Sequence, residues 1–157
     1  MFQVGLVTTG EFVPWCGGSI ISTKHVLTAA HCTKDKFAPS IQVLVGEHDV
    51  GDMEADRRAV ASITDHPYFN IIEKQFDISI LTLASSLTFT SAVAPICLPS
   101  STANGNTYSE YSNNVATVTG WGLTATGGQA SSTLQEVELT LLPNSECEEA
   151  YGSQIKR

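Results

Sequence analysis

Charge is scarce in this sequence: 15% of its 157 residues are Asp, Glu, Lys or Arg, against roughly 25% in an average soluble domain. What charge there is leans one way, with 8 Lys and Arg against 16 Asp and Glu, a formal −8 with the histidines neutral. An acidic surface repels phosphate backbones and anionic lipid, which argues against nucleic acid and membrane surfaces as partners. Long apolar runs are missing too, and none approaches the ~18 residues of a membrane-spanning helix. No Cys-x-x-Cys pair occurs, which removes zinc ribbons and thioredoxin-like redox motifs. There is no Asn-x-Ser/Thr sequon, no internal repeat and no heptad pattern. Residues 1–7 offer neither a basic stretch nor a long apolar run, so no signal peptide is expected.

What is present reads as β structure. Hydrophobic residues reach 42%, enough to build a core and too many for a disordered chain. The length fits one domain or two small ones. Apolar segments last only a few residues before turn chemistry interrupts them, and Ser and Thr are abundant. Four widely spaced cysteines, at 16, 32, 97 and 147, suit a secreted disulfide protein better than a cytosolic one. That composition and the N-terminus disagree, which predicts that Met1 is not the natural beginning of the polypeptide.

Strands are expected over 2–7, 17–22, 26–28, 41–45, 58–64, 78–83, 115–119 and 134–142. Residues 100–114, dominated by Ser, Thr, Asn and Gly, read as a linker. Helix chemistry is found only over 145–151, with Ser145 as a candidate N-cap and glutamates in the first turns.

Two positions could carry chemistry. His31 follows small alanines in Leu27-Thr28-Ala29-Ala30-His31-Cys32, where a bridge from Cys32 to Cys16 could clamp the segment. Clamping suits a general base, because an imidazole must hold one rotamer to exchange a proton with a hydroxyl. Taken alone, a histidine beside a cysteine is more often structural. Asp77 opens the apolar stretch Asp77-Ile78-Ser79-Ile80-Leu81-Thr82-Leu83. A carboxylate there is usually a strand-end residue, but it could also orient an imidazole and stabilise its cation.

Five motifs in order carry a resemblance. Trp15-Cys16-Gly17-Gly18-Ser19-Ile20-Ile21 with Val26-Leu27-Thr28-Ala29-Ala30-His31-Cys32, then the Asp77 stretch, Pro95-Ile96-Cys97-Leu98-Pro99, Val118-Thr119-Gly120-Trp121-Gly122, and Leu134-Gln135 through Cys147 resemble the trypsin-like serine endopeptidases of the chymotrypsin family. The resemblance covers nearly the whole chain. It implies an all-β fold, an antiparallel Greek-key barrel of the trypsin-like two-barrel type with the second barrel incomplete. Residues 1–99 would be the first barrel without its N-terminal start, 100–114 the linker, and 115–157 the opening strands of the second barrel. Their apolar faces and strand edges are expected to lie uncovered.

By the same resemblance His31 matches the general base and Asp77 the carboxylate that fixes its tautomer, with backbone near Ala30 and His31 bonding that carboxylate. The family's chain order places the nucleophilic serine last, yet no Gly-Asp-Ser-Gly-Gly string occurs here. The chain is therefore expected to be inactive alone, although its family hydrolyses peptide bonds through an acyl-enzyme. The alternative is a non-catalytic homologue acting as a binding or regulatory protein. A Cys16–Cys32 disulfide is expected, leaving Cys97 and Cys147 without assigned partners. Glu47 and Glu54 resemble the calcium loop of some trypsins, but Arg57 stands where a further acidic ligand is often found, so a solvated acidic turn is favoured over calcium. No other cofactor is implied. Partners would be protein or peptide substrates and protease inhibitors, and the location extracellular. His25 and His48 read as surface residues and His66 as part of a turn.

Overall fold

The computed structural model describes residues 1–51, 55–99 and 111–152. Contacts divide the chain into two units, Met1–Cys97 with Gly120–Gln135, and Leu98–Thr119 with Glu136–Arg157.

The first unit is a closed antiparallel barrel. Its strands are β1 (Gln3–Thr8), β2 (Cys16–Ile20), β3 (His25–Thr28), β4 (Ile41–Val45), β5 (Asp56–Asp65) and β6 (Ser79–Leu83). Around the barrel the order is β1-β2-β3-β6-β5-β4, closed by pairing of β1 with β4. Closure removes the strand edges that would otherwise template aggregation. Alternation sends Val4, Leu6, Ile20, Val26, Ile41, Val43, Val45, Val60, Leu81 and Leu83 into one core. A register irregularity between Val60 and Ser62 in β5 marks a bulge, the usual device for bending a strand round a small barrel. At Gly18 a Cβ would fall 2.8 Å from Val26 Cγ1 and 3.0 Å from Leu27 O, so only glycine lets β2 approach β3 this closely.

Strand β4 buries an apolar residue on its outer face as well as its inner one, for a structural reason. Its outer residue Leu44 joins Val7, Val50, Ala55 and Trp121 in a second cluster outside the barrel. Trp121 arrives with the Gly120–Gln135 segment, which belongs to the first unit. The segment is held by Trp121 Nε1 donating to His48 O at 3.1 Å and by Leu134 N to His48 O and Val50 N to Ser132 O at 2.7 and 2.9 Å.

Two short elements have no counterpart among the expected ones: the one-turn helix α1 (Ala30–Thr33) and a 3-10 turn over Ala38–Ser40. Neither is long enough to show a period. β2 stops at Ile20 rather than 22, because Ser22 folds back into a side-chain turn, accepting the N–H groups of Lys24 and His25.

β7 (Val115–Gly120) pairs with β8 (Gln135–Thr140) in a two-stranded sheet that lies in the second unit except for its junction residues Gly120 and Gln135. Val115, Val118, Val137 and Leu139 are exposed on it. Helix α2 (Asn144–Tyr151) follows. Its N-cap is Pro143 rather than Ser145: the Pro143 carbonyl accepts the N–H groups of Glu146 and Cys147, leaving Ser145 inside the first turn with no side-chain cap. Most of the expected linker, 100–110, lies outside the described residues. Residues 111–114 turn into β7, with Asn113 N donating to Leu141 O at 2.7 Å.

Candidate active site

Strand pairing brings the two candidate residues together. β3 and β6 run antiparallel with Thr28 opposite Ser79, so the end of one strand and the beginning of the other share a barrel rim. His31 lies three positions past Thr28 and Asp77 two positions before Ser79; residues 46 apart in sequence thus meet.

The turn of α1 fixes His31. Ala30, Cys32 and Thr33 on this turn are buried while the His31 side chain stays 49% exposed. Thr33 Oγ1 donates to Asp65 Oδ1 at 2.6 Å, tying the turn to the end of β5. Cys32 is bonded to Cys16 of β2, a second anchor. The expected disulfide is present, and Cys97 and Cys147 are free.

Asp77 receives two donors from one residue. His31 Nδ1 lies 2.6 Å from Oδ2 and the His31 backbone N–H donates to Oδ1 at 2.7 Å. A carboxylate only accepts, so the ring proton is on Nδ1 and the lone pair of the neutral imidazole is on Nε2. Burial works to push the Asp77 carboxyl up; it is outweighed by the hydrogen bond from the His31 ring, the bond from its backbone N–H and electrostatic attraction to His31 and Lys74, which hold the carboxyl below its ordinary value. The arrangement supplies a base with a fixed tautomer and an anion positioned to stabilise the imidazolium that forms when Nε2 takes a proton.

The approach to Asp77 is stiffened by its backbone and by ring stacking. Lys74 and Phe76 have left-handed backbone, with φ of 55° and 52°. The Phe76 ring stacks on His66 at 4.8 Å between centroids, and Tyr68 leans on both. His66, read as a turn residue, is thus half of an aromatic stack. His25 is exposed as expected but partnered: its Nδ1 lies 2.8 Å from Ser22 Oγ. Because that oxygen already accepts two backbone N–H groups, this serine–histidine pair closes the β2–β3 turn.

Among the described residues, one group of three or more metal-ligand side chains occurs, Cys16, His31 and Cys32, and its two sulfurs are joined to each other. Glu47 Oε1 accepts the Asp56 N–H at 3.0 Å, closing its loop; Glu54, the other candidate calcium ligand, lies outside the described residues.

The sequence profile of the trypsin family matches residues 1–157, and the chain belongs to that family of serine endopeptidases. It is 38% identical over 146 residues to Trypsin-1 of Astacus astacus, covering 88% of this chain and 58% of that protein. Trypsin II-P29 of Gallus gallus is 35% identical over 158 residues, covering 98% and 58%. Proclotting enzyme of Tachypleus tridentatus is 34% identical over 150 residues, covering 89% and 39%. The chain therefore spans little more than half of these trypsins and less of the proclotting enzyme.

Proposed function

We propose that His31 and Asp77 are the general base and orienting carboxylate of a serine endopeptidase module acting on protein or peptide substrates. The observation that carries this reading is the double acceptance by Asp77 of the His31 ring and backbone N–H groups at 2.6 and 2.7 Å. It leaves Nε2 with the lone pair that would take a serine proton and later return it to the leaving amine. Retention of both residues in bonded geometry weighs against the non-catalytic alternative, which has no use for a fixed tautomer.

Acyl transfer also requires an attacking hydroxyl and donors for the oxyanion. The sequence has no Gly-Asp-Ser-Gly-Gly string, so the 157 residues alone are inert in this reading, with 1–99 as the first barrel, 100–114 as a linker and 115–157 as opening strands of a second barrel. Exposed apolar side chains on β7 and β8 support that assignment. Disulfide use and the family support an extracellular location, with protease inhibitors as further partners. Among the described residues no helix is long and apolar enough to cross a membrane.

The test is incubation of the purified chain with peptide esters and a fluorophosphonate that acylates activated serines. No labelling and no turnover are expected. Labelling of a serine within these residues, lost in His31→Ala, would sink the assignment of an inert chain.

A further inference from the structure

Asp77 stands at the corner of a three-residue turn, outside the strands. Ile78 N donates to Phe76 O at 2.8 Å across it, the closure of a γ-type turn. The direction of the carboxylate therefore follows from where Phe76 and Ile78 are held. One residue holds both. The His66 backbone N–H donates to Ile78 O at 2.9 Å, and the His66 ring stacks on Phe76 with 4.8 Å between centroids and 7° between planes. Asp65 pairs with Ser79 at the end of the β5–β6 ladder, so His66 opens the loop that Ile78 closes.

We propose that His66 is a positioning residue for Asp77, its ring clamping Phe76 so that the carboxylate meets His31. The inference rests on the reading of His31 and Asp77 as base and orienting carboxylate. Phe76 has a left-handed backbone, with φ of 52°, which a bulky side chain adopts only where its surroundings hold it. Phe76 is 52% exposed, so burial in the barrel core does not hold it. Among the described residues its ring partners are His66 and Tyr68. The clamping ring is itself fixed, because His66 Nδ1 accepts the Tyr68 backbone N–H at 3.2 Å; the proton of the neutral ring is then on Nε2. The far end of the loop is closed separately. There Asn70 N donates to Gln75 O at 3.1 Å, and Asn70 Oδ1 accepts the N–H groups of Ile72 and Glu73.

His66 acts through Phe76 and not on the reacting atoms. Without the stack, Phe76 is free to leave the left-handed region, and the turn that carries Asp77 moves with it. The bonds from the His31 ring and backbone N–H reach the two carboxylate oxygens at 2.6 and 2.7 Å, and such bonds weaken steeply once misaligned. Burial pushes the Asp77 carboxyl up, and the His31 bonds together with Lys74 of the same loop outweigh it. Loosening the loop leaves burial less opposed, so the carboxyl rises toward its ordinary value.

The experiment uses the full 157-residue chain with aspartate isotope-labelled at its carboxyl carbon. NMR follows the Asp77 signal from neutral to acid pH, the signal being assigned by its loss in Asp77→Asn, and hydrogen exchange of the His31 amide is read on the same chains. His66→Asn keeps an acceptor for the Tyr68 N–H and removes the ring, whereas His66→Phe keeps a ring for the stack and removes the acceptor. His66→Asn and Phe76→Ala should raise the Asp77 midpoint toward that of His31→Ala. They should also speed His31 amide exchange about 5–10-fold, the factor for one net hydrogen bond, while His66→Phe stays near wild type. Exchange at Val43 and Leu81 in the barrel core should not change, which separates positioning from loss of fold. An Asp77 midpoint and His31 exchange unmoved by His66→Asn overturn the clamp, as does an equal shift in His66→Phe or core exchange that rises with them. A wild-type Asp77 that titrates no lower than in His31→Ala refutes the bonded pair itself, and the clamp with it. None of these readouts needs activity from the chain.

Discussion

Thr33 Oγ1 donates to Asp65 Oδ1 at 2.6 Å, and this bond joins the helical turn that carries His31 to the strand preceding the Asp77 loop. Thr33 is buried. Its replacement by valine keeps the volume and removes the donor, leaving a carboxylate without that partner. We expect Thr33→Val to lower unfolding free energy by about 1.5–3 kcal/mol, the range for a hydrogen bond to a charged group. Urea denaturation of the two chains checks it; a loss under about 0.5 kcal/mol, the scale of a neutral surface change, would show that the bond does not anchor the turn.

Asp77 should leave a mark on acid stability. Its carboxyl is held below its ordinary value in the folded chain, so the unfolded chain binds the proton more readily. Its contribution to stability is full above the unfolded-state value and is lost as pH falls through the folded one. Wild type should therefore lose stability below about pH 5 more steeply than Asp77→Asn, the two curves converging in acid. Urea midpoints across that range are the measurement; parallel curves would contradict the bonding described.

Trp121 is 7% exposed and packs outside the barrel with Val7 and Leu44. Trp121→Ala should cost about 3–5 kcal/mol, as for large buried aromatics elsewhere. It should also speed amide exchange at Leu134 and Val50, whose N–H groups bond within the same cover. Unchanged exchange would mean that the Gly120–Gln135 segment holds to the barrel without its indole.

The cysteines should separate by reactivity. A non-reduced digest should yield Cys16 linked to Cys32, while Cys97, exposed and free, alkylates without denaturant. Replacing both bridged cysteines by alanine should cost about 3 kcal/mol, the chain-entropy value for a loop of this size. Recovery of Cys16 joined to Cys97 from folded protein would overturn the barrel assignment.

The β class, most strand positions, the family and the His31 and Asp77 candidates are legible in the amino-acid sequence. These are local properties: Val26-Leu27-Thr28 and Ile80-Leu81-Thr82-Leu83 are short apolar runs with turn chemistry on either side, and the motifs around Cys16, His31, Asp77 and Trp121 are contiguous strings. What no local pattern encodes is which strand lies beside which. The pairing of Thr28 with Ser79 sets His31 against Asp77, and it follows from closing six strands into a barrel rather than from any string of residues. The turn Ala30–Thr33 is too short to show a period, and its anchor is an aspartate distant in sequence. Trp121 reads as part of a later strand set until its indole is seen to bury with Leu44 of β4. The stack of His66 on Phe76 needs a loop bent through two left-handed residues. Folding in three dimensions sets these, because each depends on side chains far apart in the chain competing for one small volume.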